Sequence, residues 1–315
     1  DDGLAQEAWI QLRSETMTKA RYIILPERGV IGIAGPDARS FLQGLVSNDV
    51  MKVTAAQAIY AALLTPQGKY LHDFFLAEHQ GSLLLDCEAA RAADLLRRLG
   101  LYKLRSKVEL AAASDRFTVA AVIGDGAAAA LGLLPAAGTA VGIADGVAYV
   151  DPRLAALGVR AMLPAATAAT DLAALGLVAG TPEDYHRLRL ELGVADGSRD
   201  LAVEKALLLE SNFEPLNGVD FKKGCYMGQE LTARTKYRGL VRKRLFRVDL
   251  DGPLPPPDTL VMHGAKEAGV LRSGLDGVAL ALLRLEEVEA AAAGGEPLTA
   301  AGTRLTPVKP AWADF

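Results

Sequence analysis

The run KGCYMGQE, with Cys225 as its third residue, is the part of the sequence best suited to chemistry. Cys225 is one of two cysteines in the chain and lies between Gly224 and Gly228. Because glycine has no Cβ, a ligand can approach the backbone closely on both sides of the thiol. Lys222 and Lys223 precede it, and a positive field favours the thiolate, which is the nucleophile and metal ligand. Cys225 is therefore a candidate reactive thiol; the alternative is a small buried hydrophobic residue.

Basic residues are concentrated around the same run. Between positions 222 and 247 the chain has nine basic residues and one acidic residue, so the segment carries +8 in a chain of net charge −4. A focused positive patch raises the local concentration of anions. We predict that four of these residues bind an anion: Lys222, Lys223, Lys236 and Arg238. A solvated basic face balanced by acidic neighbours in the fold is the alternative.

The composition fits a protein of two or three domains. The chain has 315 residues, of which 50% are hydrophobic, and that is long for a single core. Two cysteines give no CxxC pair, no zinc-binding spacing and no disulfide framework, which favours a reducing cytoplasm. The sequence has no run of about 18 apolar residues and no apolar signal segment. We therefore predict a cytoplasmic protein with no membrane partner.

The first sixteen residues show neither a motif nor strong periodicity. We interpret Met17 as the natural start of the protein and the residues before it as an addition. A short leading helix that packs Trp9 and Leu12 is the alternative.

The first third of the chain predicts an α+β unit. Short apolar runs bounded by turn residues predict strands at 22–24, 30–33, 58–64, 69–77 and 82–87. The last three predict an antiparallel meander. One helix is predicted from Pro36 to Leu45 with Asp37 as its cap, and another at 88–99, stopping at Gly100.

The remainder predicts a second α+β unit, a capped helix and a β-rich end. In the second unit, strands are predicted at 117–123 and 159–163 and helices at 125–131 and 166–175. Thr181 caps a helix that runs to Leu192 and ends at Gly193. The last part predicts a small barrel, with strands at 245–250, 259–262, 267–271 and 278–283.

KGCYMGQE followed by ARTKYRG closely resembles the motif of YgfZ-type proteins. These are folate-binding relatives of the glycine-cleavage aminomethyltransferase that assist the assembly or repair of iron–sulfur proteins. The motif is long and ordered, so a chance match is much rarer than for a short glycine pattern. Upstream, GPDARSFLQGLVSNDV resembles the opening of the aminomethyltransferase fold, and the resemblance runs from about Tyr22 to the C-terminus.

The resemblance implies an α+β protein with the aminomethyltransferase-like folate-binding fold, built of two α+β units and a C-terminal small β-barrel. We accordingly predict a folate-binding unit at 17–113 and an inserted α+β unit at 114–180. Residues 181–240 return to the first unit and contain the KGCYMGQE loop, and residues 241–315 form the barrel.

The resemblance also implies a site for tetrahydrofolate or a related reduced folate. RLELG resembles the element whose glutamate binds the pterin ring, so Glu191 is the predicted pterin residue. A carboxylate suits this role because it can accept two parallel hydrogen bonds from the ring. The alternative is an exposed helix acid paired with Arg187, four residues earlier.

Four further residues complete the predicted folate contacts. Asp73, or His72 if the register shifts, matches a carboxylate that lies beside the folate in the aminomethyltransferase relatives, and Asn212 and Arg234 are added as contacts. Those relatives tend to carry paired acids where this chain has His72 and Asp73, which places aminomethyl transfer itself in doubt. A surface His–Asp pair on the solvent side of a strand is the alternative.

Three functions remain open from the sequence. The first is a folate-dependent accessory factor for iron–sulfur proteins, in which Cys225 is the reactive thiol or a transient ligand and the partners are client proteins or cluster carriers. Because a cluster takes about four thiolates, one motif cysteine must share it, and no resident metal site is predicted. The second is a one-carbon transferase of the glycine-cleavage type, which leaves KGCYMGQE unexplained.

The third function is a non-enzymatic module that binds RNA or another protein through the basic segment. Few aromatic residues lie among the basic ones, so few side chains are available for bases to stack on, and binding of nucleic acid is disfavoured. Whether the protein turns over a substrate stays open.

Overall fold

A computed structural model of the chain describes residues 20–239 and 241–315. The predicted start at Met17 and the alternative helix around Trp9 and Leu12 lie outside these residues. The strands are β1 Arg21–Ile24, β2 Arg28–Ala34, β3 Ile59–Leu64, β4 Tyr70–His79, β5 Ser82–Glu88, β6 Glu109–Ala112, β7 Phe117–Ile123, β8 Ala140–Ile143, β9 Gly146–Val150, β10 Val159–Pro164, β11 Val178–Ala179, β12 Lys243–Asp251, β13 Leu260–His263, β14 Lys266–Leu275, β15 Val278–Arg284, β16 Leu298–Ala300 and β17 Thr303–Val308.

The α-helices of the described residues are α1 Ala38–Gln43, α2 Ala92–Tyr102, α3 Ala127–Ala130, α4 Ala168–Ala174, α5 Pro182–Glu191, α6 Gly197–Asp200, α7 Gln229–Tyr237 and α8 Leu285–Ala292. Short 3₁₀ turns occupy Val50–Lys52, Ala89–Arg91 and Ala155–Leu157.

The first sheet has five strands in the order β3-β4-β5-β2-β6. The predicted meander is confirmed, because β3, β4 and β5 pair antiparallel in sequence order. Side chains alternate across a strand, so neighbours on β4 enter different cores. Phe74 packs with the leucines of α1 and α2, whereas Phe75 packs into a core shared with the second sheet.

The second sheet has six strands in the order β11-β1-β7-β10-β9-β8. Its strand β1 comes from the start of the chain and lies between β11 and β7. The shared core contains Ile23 from β1, Tyr149 from β9 and Tyr60 from the first sheet. The two sheets are therefore joined by one continuous interior, and helices α3 and α4 cover the outer face of the second.

Two predicted helix ends are wrong. Helix α2 continues through Gly100 to Tyr102, because a glycine in a helix costs only about 1 kcal/mol relative to alanine. Asp37 makes no side-chain bond to the start of α1; its carboxylate instead accepts a hydrogen bond from the backbone N–H of Lys107, at 2.7 Å.

The predicted C-terminal barrel is confirmed as a closed sheet in the order β12-β15-β14-β13-β16-β17. Strands β16 and β17, which the sequence analysis did not predict, close it. The barrel is tied to α5 by Arg189, whose guanidinium donates to Asp200 Oδ2 at 2.7 Å and to Ser273 Oγ at 2.7 Å. All three residues are buried, so these contacts fix the barrel against the rest of the protein.

Candidate functional site

The KGCYMGQE loop joins the sheet region to helix α7, and Lys223 fastens it to helix α1. The Lys223 ammonium donates to the carbonyl oxygens of Gln43 and Val46, at 2.6 and 2.5 Å. These carbonyls lie at the C-terminal end of α1, where backbone acceptors lack helical partners and the helix dipole favours a cation. Burial lowers the Lys223 pKa to about 8, although Asp49 and Asp220 oppose the shift. Lys223 therefore serves the fold as well as the charge of the loop.

Backbone contacts add to this attachment. The N–H of Met227 donates to the carbonyl of Gly44 at 3.2 Å. Gln43 Nε2 donates to the carbonyl of Lys223 at 3.3 Å. At the other end of the loop, the N–H of Tyr226 donates to Gln229 Oε1 at 3.1 Å. The loop is thus held on both sides of Cys225.

The two glycines of the loop have different roles. Gly228 has φ +79°, and a Cβ there would lie 2.4 Å from the carbonyl oxygen of Thr65, so the loop packs directly on the β3–β4 turn. Gly224 has φ +94° but no atom within 4 Å of its virtual Cβ. Gly224 therefore provides only the backbone conformation and leaves open space next to Cys225.

The two cysteines lie in opposite surroundings. Cys225 is exposed, whereas Cys87 is buried on β5. Burial raises the pKa of the Cys87 thiol to about 12, even though Arg28 acts against the shift. A buried thiol with a high pKa is inert. Of the two, only Cys225 has an accessible thiol, and Cys87 lies on β5, where the sequence predicts a strand at 82–87.

The four residues predicted to bind an anion are not free to act together. Lys223 is used by the carbonyls of α1, and Lys236 forms an ion pair with Glu214 and lies 5.7 Å from the ring centroid of Phe221. Lys222 and Arg238 are exposed and, within residues 20–239 and 241–315, have no ion-pair partner. Anion binding by the whole set stays a prediction, and only these two cations are uncommitted.

Asp73 and His72 lie on opposite faces of β4. The Asp73 carboxylate faces the shared core and accepts hydrogen bonds from Tyr60 at 2.9 Å and Tyr70 at 2.6 Å. His72 Nε2 lies 2.9 Å from Asp94 Oδ2. Burial lowers the pKa of His72. Both residues are almost fully buried, so the alternative of a surface His–Asp pair is wrong.

The other predicted folate contacts are scattered. Glu191 is exposed at the end of α5, two residues after the buried Arg189, and two residues correspond to about 200° around a helix. Asn212 is fully buried, and its amide donates to the carbonyl of Leu245 at 2.8 Å. Arg234 is exposed on α7. Among the described residues, no hydrogen bond or ion pair joins Glu191, Asp73, Asn212 and Arg234, and their role as folate contacts stays a prediction.

The interior between the sheets is filled by charged and aromatic side chains that the sequence analysis did not single out. Asp86 accepts hydrogen bonds from Arg28 at 2.7 Å and from Arg160 at 2.6 Å. The guanidinium groups of Arg28, Arg160 and Arg153 all lie over the ring of Phe75. No local pattern signals these pairs, because their members are 58 and 74 residues apart.

Asp196 is a partly accessible carboxylate surrounded by arginines. Its side chain keeps 21% of its surface accessible. Within the part of the chain that the structure describes, its oxygens accept no hydrogen bond, and Arg199, Arg28 and Arg189 lie 3.4 to 4.0 Å away. Burial opposes ionisation, but these arginines outweigh it and lower the pKa of Asp196 to about 2. Asp196 is therefore an ionised and partly accessible carboxylate in the surroundings of three arginines, and the folate contacts named from the sequence stay predictions.

A resident metal site is not formed by the described residues. They contain no group of three or more His, Cys, Asp or Glu side chains arranged to hold a metal ion. Among them there is also no helix with the length and apolar character needed to cross a membrane.

Two family models match separate parts of the sequence. The "GCVT N-terminal domain" matches residues 16–140, and the "CAF17, C-terminal beta-barrel domain" matches residues 242–315. Among solved structures, the glycine cleavage system aminomethyltransferase T from Bartonella henselae superposes with a TM-score of 0.76, covering 95% of this chain and 88% of that one. The two sequences are 17% identical, so this likeness shows the fold. The predicted aminomethyltransferase-like fold is thereby confirmed.

The curated relatives are named as iron–sulfur cluster assembly factors. The mouse "Iron-sulfur cluster assembly factor IBA57, mitochondrial" is 36% identical over 294 residues, covering 84% of this chain and 78% of the relative. The human protein of that name is 37% identical over 289 residues, with 84% and 78% covered. The homologue from Pyricularia oryzae is 34% identical over 307 residues, with 89% and 76% covered.

These relatives refine one prediction and overturn another. The resemblance to YgfZ-type proteins pointed to a related family, but the relatives found are named IBA57. The prediction of a cytoplasmic location is wrong on the same finding, because all three relatives are named as mitochondrial proteins. Two cysteines without a disulfide framework indicate reducing surroundings, and that property does not distinguish the cytoplasm from other reducing compartments.

Proposed function

We propose, from the premise that this chain belongs to the family of IBA57 iron–sulfur cluster assembly factors, that it assists cluster assembly through Cys225. In this role the Cys225 thiol acts as a reactive thiol or a transient cluster ligand, and its partners are iron–sulfur client proteins or cluster carriers. The relatives' names also point to a mitochondrial site of action.

The observation that carries this proposal is the way the KGCYMGQE loop presents one side chain. Lys223, Gly228 and Gln229 each make a contact that holds the loop to the fold or to itself. Cys225 makes no such contact with the residues that the structure describes, and it is exposed. A motif whose other residues are used to fix a backbone around an exposed thiol is built to deliver that thiol to a partner.

The number of thiols limits how the cluster is held. Iron–sulfur clusters are bound by about four thiolates or equivalent ligands, and the sequence has two cysteines, of which Cys87 is buried. The cluster is therefore cargo that a partner holds with most of its ligands. Cys225 supplies a single thiolate ligand. One ligand suits the transfer of a cluster, or its stabilisation during exchange, better than its storage.

A reduced folate is the second element of the proposal, and it rests on Asp196 instead of Glu191. The carboxylate of Asp196 is ion-paired with arginines but accepts no hydrogen bond from the described residues. It could receive two parallel N–H groups from a pterin ring, with the three surrounding arginines keeping it ionised. Asp73 contributes little to such a site, because its oxygens already accept from Tyr60 and Tyr70.

Aminomethyl transfer is not favoured by this geometry. The paired acids that the aminomethyltransferase relatives tend to carry are replaced by His72 and Asp73, and these two side chains have separate partners, Tyr60 for Asp73 and Asp94 for His72. The KGCYMGQE loop would also have no task in that reaction, which needs no thiol.

Complementation of cells that lack the protein tests the cluster role. Cys225→Ser removes the thiol at an exposed position, and Cys87→Ala serves as the matched control that removes the other thiol. We expect a cluster-dependent enzyme to lose activity with Cys225→Ser and to keep it with Cys87→Ala, while both variants accumulate to wild-type levels. Full activity with Cys225→Ser would show that the loop has a structural role only.

A further inference from the structure

Helix α7 presents an exposed surface beside the cysteine loop, which we call the α7 face. It consists of the exposed Lys222, Arg234, Tyr237 and Arg238 and the half-buried Phe221. Tyr237 is 75% exposed, and Arg234 and Arg238 are exposed as well. In the part of the chain that the structure describes, neither arginine has an ion-pair partner. Large aromatic and arginine side chains left uncovered together are characteristic of protein interfaces.

The α7 face is continuous with the cysteine loop. The rings of Phe221, at the start of the loop, and Tyr237, at the end of α7, meet edge-on with centroids 6.4 Å apart. Lys236 lies against the same Phe221 ring and pairs with Glu214, which fixes the end of the helix to the body of the protein. Arg234 and Arg238 are four residues apart and so share one side of the helix. The surface is therefore ordered by contacts on the protein side.

Tyr237 lies close enough to the loop to fall within the footprint of a partner that reaches Cys225. The helix rises about 1.5 Å per residue, so Tyr237 lies about 12 Å along the axis from the start of α7, next to the loop. A standard interface covers about 800 Å² of each protein, a patch about 30 Å across if it is round. A partner whose cluster reaches Cys225 would therefore also touch the α7 face.

The charge of the surface selects the partner. The segment from position 222 to 247 carries +8, and Lys222, Arg234 and Arg238 provide uncommitted positive groups on this side. An iron–sulfur cluster held by thiolates is itself anionic. A partner with acidic residues around its cluster would be steered to this surface and oriented with the cluster toward Cys225.

We propose that the α7 face is the docking surface for a protein that carries a thiolate-bound iron–sulfur cluster surrounded by acidic residues, with Tyr237 as the aromatic anchor. This inference rests on the proposed cluster role of Cys225 and adds the partner's chemistry and the contact residues. A second copy of the chain and RNA are the other occupants that such a surface could take, and the test separates them.

The first arm of the test is complementation with surface variants that keep Cys225. We expect Tyr237→Ala and the double variant Arg234→Glu/Arg238→Glu each to lower the activity of a cluster-dependent enzyme by about tenfold, the scale of a lost interface anchor. Arg304→Glu is the matched control, because Arg304 is an exposed arginine on the barrel. The alkylation rate of Cys225 in the purified variants should stay within about twofold of wild type, which shows that the loop is intact.

The outcomes of this arm distinguish the two proposals. If the α7-face variants keep full activity while Cys225→Ser loses it, the docking inference is overturned and the cluster role stands. If Cys225→Ser also keeps full activity, the cluster role itself fails. A loss of activity with Arg304→Glu equal to that of the double variant would show a general effect of charge and would equally overturn the inference.

The second arm identifies the occupant. A photo-crosslinking amino acid replaces Tyr237 in cells grown with radioactive iron, and the adduct is isolated under native conditions. An adduct with an acidic protein that retains iron supports the proposal. An adduct of two copies of this chain, a nuclease-sensitive adduct, or one with a basic or iron-free protein each contradicts it.

Discussion

The Lys223 ammonium lies 2.6 Å from the carbonyl oxygen of Gln43 and 2.5 Å from that of Val46, two residues before the exposed thiol of Cys225. With these two hydrogen bonds, one ammonium group both satisfies the end of helix α1 and positions the loop. It is also partly desolvated, which is why its pKa falls to about 8. The loop is thus positioned by Lys223, one of the four residues that the sequence predicts to bind an anion.

Removal of this ammonium should destabilise the protein measurably. We expect Lys223→Met to lower the free energy of unfolding by about 1 to 3 kcal/mol, because two backbone carbonyls lose a charged donor. Lys222→Met is the control and should change it by less than about 0.5 kcal/mol, since Lys222 is exposed. Urea unfolding at pH 7 measures both. Equal losses of unfolding free energy in the two variants would show that the Lys223 ammonium does not hold the end of α1.

The same residue predicts a pH dependence. Its folded-state pKa of about 8 lies below the ordinary value of 10.5, so between these values the folded state binds fewer protons than the unfolded state. Linkage then requires that this group's contribution to the free energy of unfolding rise with pH in that window. Wild type should therefore gain stability relative to Lys223→Met between pH 7.5 and about 10. A constant difference across this range would contradict the burial of the ammonium.

The glycines of the loop should respond unequally to alanine. Gly228→Ala puts a Cβ 2.4 Å from the carbonyl oxygen of Thr65 and adds strain at φ +79°, so we expect a loss above about 3 kcal/mol. Gly224→Ala meets only the strain of φ +94° in open space, for about 1 to 2 kcal/mol. Thermal unfolding compares the pair. The ranking, and not the absolute values, is the test, and a reversed order would show that the loop does not pack on the β3–β4 turn.

The fold could be predicted from the sequence wherever the sequence pattern is local or belongs to a long motif. Thr181 caps the start of α5 as predicted, and the short apolar runs separated by turn residues gave the meander of β3, β4 and β5. The alternation of side chains along β4 also accounts for the separation of His72 from Asp73, because adjacent residues of a strand face opposite sides of the sheet. The exposure of Glu191 follows from helical spacing only once the structure shows that Arg189, two residues earlier, is buried.

The interior could not be predicted in this way. Arg28, Asp86 and Arg160 are fully or nearly fully buried, although charged residues on short strands are ordinarily taken as exposed. Their burial depends on partners far away in sequence, which only the packing of two sheets brings together. Asp196 has Arg199 three residues and Arg189 seven residues away in sequence, but only the packing of the sheets brings Arg28 to it.

The buried pairs predict a large effect from one small change. Asp86→Asn removes the charge that Arg28 and Arg160 share inside the core, and breaking such a buried pair costs about 3 to 5 kcal/mol. Asp276→Asn is the matched control, because Asp276 pairs with Arg187 on the surface and exposed pairs contribute about 0 to 1 kcal/mol. Urea unfolding at pH 7 gives both values. A loss below 1 kcal/mol for Asp86→Asn would contradict the charged interior.

Titration with tetrahydrofolate under reducing, oxygen-free conditions separates the two candidate pterin residues. Asp196→Asn replaces one acceptor oxygen by a donor and should weaken binding by about 1 to 3 kcal/mol. Glu191→Gln should leave the affinity unchanged, because Glu191 is exposed at the end of α5. The opposite ranking would restore Glu191 as the pterin residue, and no saturable binding by wild type would remove folate from the proposed function.

The last prediction concerns the reactivity of the two thiols. With a pKa of about 12, Cys87 is a thiolate in about one molecule in 10⁴ at pH 8, and it is buried on β5. Cys225 is exposed at the tip of a loop with open space beside Gly224. Alkylation of the native protein at pH 8 should therefore modify one thiol at least about a hundredfold faster than the other, and mass spectrometry after digestion should place the label on Cys225. In denaturant both cysteines should react at similar rates, because the difference comes from folding. Rapid labelling of native Cys225→Ser would show that Cys87 is accessible, and the assignment of Cys225 as the thiol presented to a partner would lose its physical basis.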